Sequence, residues 1–516
     1  MMKNLSCFFN AGLMVLSFFI LCLIGLKFGY DIHRLNFALA MVFVVLLNPC
    51  ELERQKNVIL AISGGFFWVC TFFFEPKAVA CFLFMVFLAQ MFIYSKSRTD
   101  TNLGKAVIFA SVFFNLSFIT NTRIGDVQYE FASCYNYIEY ILENNFMFWQ
   151  ENPLKTRPSY SSYHPILHFF MAGLGIRLGE LLGFKREIAN EGVQVIFVSY
   201  MFLYYIVAAK IFKLLDFKGI CYIGCVSFVA CFPLYYAIGG FFNNDALLLL
   251  FQALIVYYTL LYYKEEKVKY LYLVSVFVLL SGLTKLSGIL VLGGLGAVGI
   301  DKLYKNRDRK TFKELLICFC LIVCGYSIWP IYQYFVLGVE FGFVPPQEHL
   351  SLKDYSLWER FSPLKTLFYD RMFYQDFGTN LWETMTKTAL FGQWDFSYRG
   401  HKIMWLIESF VMLYKGLILI MWGGMLYLIV RKYRSFMTYF IIALFLGLLL
   451  GQVAFGLKHP YMCNQDFRYV AILALVMAIL IGEFAKNIPV KLKNVLMSLV
   501  LMFSFSSCFI WWYISW

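Results

Sequence analysis

The sequence predicts an all-α, multi-pass membrane protein, and three observations carry that prediction. Its 516 residues are 61% hydrophobic and 20% aromatic with only 15% charged. A soluble core does not absorb that much apolar surface, whereas ~20 apolar residues suffice to cross a bilayer as a helix. Apolar runs of about that length recur from end to end, and the basic residues behind the net charge of +13 gather at their ends. That placement is what orientation by the positive-inside rule requires, so the charge excludes a nucleic-acid partner.

The cysteines agree with this reading. Of fourteen, most lie inside apolar runs, where a thiol behaves as a small hydrophobe. No CxxC pair or Cys/His cluster has zinc spacing. Only Cys134 and Cys463 fall on the outer side, and whether they pair is open from sequence.

Five runs make up the first segment, residues 1–120: Cys7 to Leu26, Arg34 to Cys50, Asn57 to Phe74, Ala78 to Tyr94 and Ala106 to Thr120. The first is too long for a signal h-region and lacks an A-x-A cleavage site, so it reads as a retained span. With a cytoplasmic N-terminus, the inner connections are the more basic and the fifth span delivers the chain outside.

Residues 121–191 form the first large outer loop, the one polar stretch early in the chain. Apolar residues at Val127, Phe131, Cys134, Ile138 and Ile141 recur in steps of three and four among polar ones, which predicts an amphipathic surface helix. A second is expected from Pro165 to about Leu182, with proline in its first turn. Gly173, Gly175, Arg177, Gly179 and Glu180 within it argue against a span.

The central segment, 192–337, resumes spanning: Gly192 to Leu215, Lys218 to Gly240, Ala246 to Tyr263, two shorter pieces, Tyr270 to Thr284 and Leu286 to Ile300, parted by Lys285, then Leu315 to Leu337. The densest basic clusters fall on its cytoplasmic side, at Lys264 to Lys269 and Lys302 to Lys313. Residues 338–402 form a second outer loop rich in aromatics and charges. About four more spans fill 403–516, with Arg431 to Arg434 and Lys486 to Lys493 inside and His459 to Arg468 outside. The whole is a bundle of about 13–15 membrane helices.

Several polar residues stand out at the outer ends of spans. Asp126, with Glu130 nearby, is placed to take a proton from a hydroxyl or to help hold a divalent cation, or else to cap the following helix. His164 and His168 flank the start of the second surface helix; His164 precedes Pro165 and is not expected to be helical. Asn243-Asn244-Asp245 opens a span, where helix capping and a polar site are both in play. Lys285 interrupts apolar sequence at membrane depth, where an ionisable group faces a cavity or a partner unless it snorkels. Arg468 poses the same choice, and its planar fork suits phosphate.

In order along residues 121–475, several stretches resemble the GT-C superfamily of membrane glycosyltransferases, the family that includes protein O-mannosyltransferases and lipid A aminoarabinose transferases. They are Gly125-Asp126, Tyr163-His164-Pro165-Ile166-Leu167-His168, Asn243 to Leu247, Leu283 to Gly288, Phe391-Gly392 and Phe467-Arg468-Tyr469. The chain departs from the pattern where Val127 follows Asp126 instead of a second acid, and where Ile166 replaces a second proline. An arginine expected near the span after the second surface helix has Arg186 as its nearest match.

The resemblance implies a GT-C-like bundle and transfer of a sugar from a polyprenyl-phosphate donor to an acceptor hydroxyl on the lumenal or periplasmic face. Asp126 would be the general base, with Glu130, His164, His168, Asn244, Asp245, Lys285 and Arg468 on the substrates. A divalent cation is compatible with it. The acceptor would be a lipid, a protein or a glycan, in the plasma membrane of a bacterium or the endoplasmic reticulum of a eukaryote. Two other classes account for the spans, a transporter or lipid flippase and an envelope polysaccharide polymerase or ligase. The first leaves the two long outer loops unexplained, and the second sets its large loop late in the chain.

Overall fold

A computed structural model describes residues 100–121, 131–147, 152–156, 159–340, 343, 345–364, 378–392, 403–433 and 435–515. The first four expected spans, Asp126 and Glu130 lie outside these residues. The described chain is helical with no strand; a lone antiparallel bridge joins Ser351 to Tyr461. Seven helices are long and apolar enough to cross a membrane, or eight if one bent pair counts as a span.

The fifth expected span is α1, Asp100–Asn121. The two surface helices follow as α2, Phe131–Glu143, and α3, Leu167–Leu181. The first is amphipathic, as its periodicity requires, whereas the second is apolar on its exposed face as well as on its buried one. In α2 the side chains of Cys134, Tyr137, Ile138, Ile141 and Leu142 are buried. In α3 the buried face holds His168, Phe169, Ala172 and Ile176, while Met171, Leu174, Leu178 and Leu181 are exposed at steps of three and four. Such an apolar outer stripe suits a helix lying in the membrane interface.

The next helix, α4, Arg186–Leu214, clamps this pair from below. Arg186, at its first position, gives Glu139 of α2 two forked hydrogen bonds of 2.9 Å and reaches Glu180 of α3 at 2.5 Å. The planar guanidinium is what permits one residue to tie two helices to a third. Gly179 lets α3 and α4 approach, since a Cβ there would stand 2.9 Å from that of Ala189.

The run from Lys218 to Gly240, read as one span, is instead two helices, α5, Gly219–Ala230, and α6, Pro233–Gly240, bent by 45°. Pro233 occupies the first position of α6; it lacks an N–H to continue α5 and is at home in a first turn. Further on are α7, Asp245–Glu265, and α8, Lys269–Gly282. The chain then breaks through Leu283–Lys285 and re-enters as a 3₁₀ turn, Leu286–Val291, continuing into α9, Leu292–Asn306. After α10, Arg309–Tyr332, the second outer loop carries α11, Leu357–Phe361, and α12, Leu381–Phe391.

Of the four or so late spans expected, three have spanning length, α13, Met404–Lys432, α14, Phe436–Lys458, and α16, Val490–Ser515; between the last two lies α15, Leu473–Lys486, of only 14 residues. Of these, α15 is the innermost. Nearly every side chain on it is buried, so its 14 residues are apolar all round rather than on one stripe.

Without a hydrophobic drive between helices inside lipid, close packing depends on small residues. The contact between α9 and α14 shows this. Gly447 and Gly451, one turn apart on α14, face Leu290, and Gly293 of α9 lies against the backbone carbonyl of Ala443. A Cβ on Gly293 would overlap that carbonyl, which cannot swing aside as a side chain would. Gly293→Ala is therefore expected to cost about 1–3 kcal/mol by overpacking, read as a lower melting temperature of the detergent-solubilised protein.

Candidate functional site

The break after α8 gathers the polar residues that the sequence singles out. Ending a helix at membrane depth leaves carbonyls unpaired, which is tolerated only where protein groups satisfy them. Here the amide of Leu167, at the start of α3, donates to Leu283 O at 2.9 Å, and Asn244 Nδ2 donates to Thr284 O at 2.8 Å. Free N–H groups opening one helix thus satisfy free carbonyls closing another. Lys285 follows in an extended conformation, with φ −163° and ψ 136°.

Its ammonium reaches Asp245 Oδ1 at 2.6 Å, and the two side chains are only 8% and 1% exposed. The Lys285 head also lies 4.6 Å from the centre of the Tyr469 ring, within cation–π range. Snorkelling is thereby excluded as the account of Lys285. The Asp245 side chain does not cap its helix either; the N-cap position is Asn244, and Asn243, one residue before it, accepts the Asp245 amide on Oδ1 at 3.1 Å. Each residue of Asn243-Asn244-Asp245 therefore holds a different partner.

Arg468 lies against the same Tyr469 ring, its guanidinium carbon 5.4 Å from the ring centre. Asp466 accompanies it, accepting the Arg468 amide at 2.9 Å and approaching Nε at 3.4 Å. The segment is pinned to the second outer loop, because the Phe467 amide donates to Thr388 Oγ1 of α12 at 2.8 Å. Two buried cations and two buried carboxylates thus flank one tyrosine. The cluster is balanced in charge, which is the condition for burying such groups.

His168 is fully buried in the first turn of α3, between Phe169 and Phe197, whose ring centres lie 5.3 and 4.9 Å away. Neither ring nitrogen has a hydrogen-bond partner among the described residues. Burial, and then the nearby charge of Lys285, hold its pKa down to about 3, so the imidazole is neutral. His164 lies outside the helix, extended and half-buried; the two histidines do not share a helix face.

Sequence reasoning missed several groups here. Tyr469 went unassigned, although it touches both cations, and Asp466 was not matched with Arg468. Helix α12 was read only as part of a charged loop, yet Glu383, Thr384, Thr386, Lys387 and Thr388 are all buried in it. The threonine spacing within LWETMTKTALF was the available signal. Gly392, in the Phe391-Gly392 stretch, ends α12 with φ +61° and ψ −144°, a conformation open to glycine. Cys134 and Cys463 do not form a disulfide with each other. Among the described residues, no group of three or more His, Cys, Asp or Glu is placed to hold a metal ion.

Residues 163–329 match the sequence model of the family described as dolichyl-phosphate-mannose-protein mannosyltransferase. The match takes in His164, His168, Asn244, Asp245 and Lys285 but neither Asp126 nor Arg468. It supports a GT-C superfamily glycosyltransferase, as the resemblance in the sequence implied. No curated protein matches the chain. Among solved structures, an Archaeoglobus fulgidus oligosaccharyltransferase crystallised with zinc and sulfate superposes with a TM-score of 0.44 at 13% identity, covering 79% of this chain. The chain spans about half of that protein, 52% of its length, and so loose a likeness carries no functional argument.

Two expectations follow from the geometry. Asp245→Asn alone leaves Lys285 buried without its countercharge and should cost about 3–5 kcal/mol, while Asp245→Leu combined with Lys285→Met should recover much of the lost folded protein. Fluorescence-detected size exclusion checks both. For His168 the linkage sign is fixed: an unfolded chain takes up this proton near pH ~6.5 and the folded one only near 3, so stability falls as pH drops through that window. His168→Phe should flatten the fall in melting temperature between about pH 7 and about pH 5.

Proposed function

We propose that this protein transfers a sugar from a polyprenyl-phosphate donor to an acceptor hydroxyl at the outer face of its membrane, with Asp126 as general base. One observation carries the reading: within the segment matched to the mannosyltransferase family, an extended break between two apolar helices buries Lys285 beside Asp245, and Arg468, outside that segment, lies against the same Tyr469 ring as Lys285. Paired cations at membrane depth suit a lipid-borne phosphate, which reaches them from the bilayer without crossing water.

In this scheme Asp126 accepts the proton of the acceptor hydroxyl as its oxygen attacks the anomeric carbon. The bond from that carbon to the phosphate oxygen breaks, and its electron pair leaves with the polyprenyl phosphate. Lys285 and Arg468 stabilise the charge developing on the leaving phosphate. Asp245 keeps Lys285 in place before the donor arrives and shares it afterwards. Glu130, His164, His168 and Asn244 contact the substrates. A divalent cation near Asp126 and Glu130 is compatible with this scheme and is not required by it.

The test is transfer of radiolabelled sugar from a panel of polyprenyl-phosphate donors in membranes carrying the protein. Wild type should form labelled product from one donor class, and Asp126→Asn should reduce it at least ~100-fold, as expected for loss of a general base, with insertion unchanged. A fully active Asn variant would remove Asp126 from the mechanism. Sugar accumulating in vesicles without a new glycosidic bond would identify a transporter instead.

A further inference from the structure

The cytoplasmic end of the bundle holds a second built feature, independent of the outer site. Between the end of α13, the start of α14 and the end of α15 lies a cavity of about 220 Å³, lined on one side by Lys432, Ser435, Thr438, Glu483, Lys486 and Asn487. Leu428, Met437 and Ile441 line the rest. Its polar wall thus meets an apolar one where the sequence places the inner membrane surface. A single water occupies ~30 Å³ of liquid, so the space suits a larger group.

The polar wall favours an anion. Glu483 is neutralised within the cavity by Lys486, at 2.9 Å, and Lys486 also donates to Leu215 O at 3.0 Å. Lys432 is then a surplus cation, with no ion pair among the described residues. The N-terminus of α14 opens here too, and its cap residue Ser435 forms no side-chain bond to the free amides of the first turn. Those amides carry the positive end of the helix dipole. An independent observation points to a ligand. Thr438 is only 4% exposed and lines the cavity, yet its hydroxyl has no hydrogen-bond partner among the described residues.

We propose that this cavity binds the phosphate headgroup of a cytoplasmic-leaflet phospholipid. The phosphate sits against Lys432, Ser435, Thr438 and the α14 amides, and the first acyl carbons lie on Leu428, Met437 and Ile441. A membrane phosphodiester fits better than free phosphate, because only a lipid uses the apolar wall.

The experiment measures binding, not transfer, so it stands or falls apart from the outer site. Detergent-solubilised protein is titrated with short-chain phosphatidylglycerol, with phosphatidylcholine of the same chain length, and with inorganic phosphate, following melting temperature. Wild type should show a saturable rise with phosphatidylglycerol that exceeds the rise with inorganic phosphate. Lys432→Gln and Thr438→Val should each raise the half-saturating concentration about tenfold. Lys432 is exposed and Thr438→Val nearly preserves shape, so both variants should fold. Midpoints equal to wild type in both variants would overturn the site. An equal response to inorganic phosphate would overturn the lipid assignment, and a rise with both phosphatidylglycerol and phosphatidylcholine that neither variant changes would overturn recognition of their shared phosphate.

Discussion

The ion pair between Asp245 and Lys285 is the constraint on which the outer half of the bundle depends. Removing two charges from water costs several kcal/mol per ion, and only close partners offset it. Lys285 can therefore sit where it does only if α7 begins beside it, and the start of α7 is held there because Asn243 accepts the Asp245 amide and Asn244 holds the Thr284 carbonyl. The break after α8, the start of α7 and the start of α3 are thus mutually required. Shifting any one by a residue would leave a buried carbonyl or charge without its partner.

The same accounting explains why Arg468 travels with Asp466. Were both cations to meet lipid phosphate alone, the site without donor would bury two uncompensated positive charges. With a carboxylate beside each, the cluster is tolerable before any ligand binds. The arrangement fixes the cations without committing them, since an ammonium has three donors and a guanidinium five. Tyr469 adds a neutral surface on which both rest.

Much of this was legible from residue order. Hydrophobic runs located the long helices of the described chain, though α15 is shorter than a span; three-and-four spacing located the first surface helix, and Pro165 lies two residues before the second. The break at Lys285 was visible because a lysine in apolar sequence has few places to go. The partners were less legible, for a physical reason: Asp245 lies forty residues from Lys285, and local rules offered capping as a sufficient account of it. Tyr469 and Asp466 give no periodic signal, and the burial of α12 depends on tertiary neighbours. The Pro233 bend was missed because the apolar run continues through it, hydropathy being blind to a missing N–H. Asp126 and Glu130 lie outside the described residues, so their roles rest on the sequence.

The inner end of the bundle uses its lysines differently, and the contrast explains why basic residues serve more than topology. The carbonyls that end α4, on Leu214 and Leu215, receive the ammonium groups of Lys264 from α7 and Lys486 from α15, at 2.5 and 3.0 Å. A helix C-terminus carries partial negative charge and unpaired acceptors, so cations from neighbouring helices both cap it and tie it down. These lysines remain partly in water; Lys264 binds the backbone there, while Lys486 binds it and also pairs with Glu483 at 2.9 Å. At the outer end, where the chain breaks within the apolar interior, each cation needs a buried carboxylate. The two ends thus differ in what the cation is for: Lys264 and Lys486 close the open end of α4 by binding its carbonyls, whereas Lys285 and Arg468 are held beside Asp245 and Asp466 around one tyrosine.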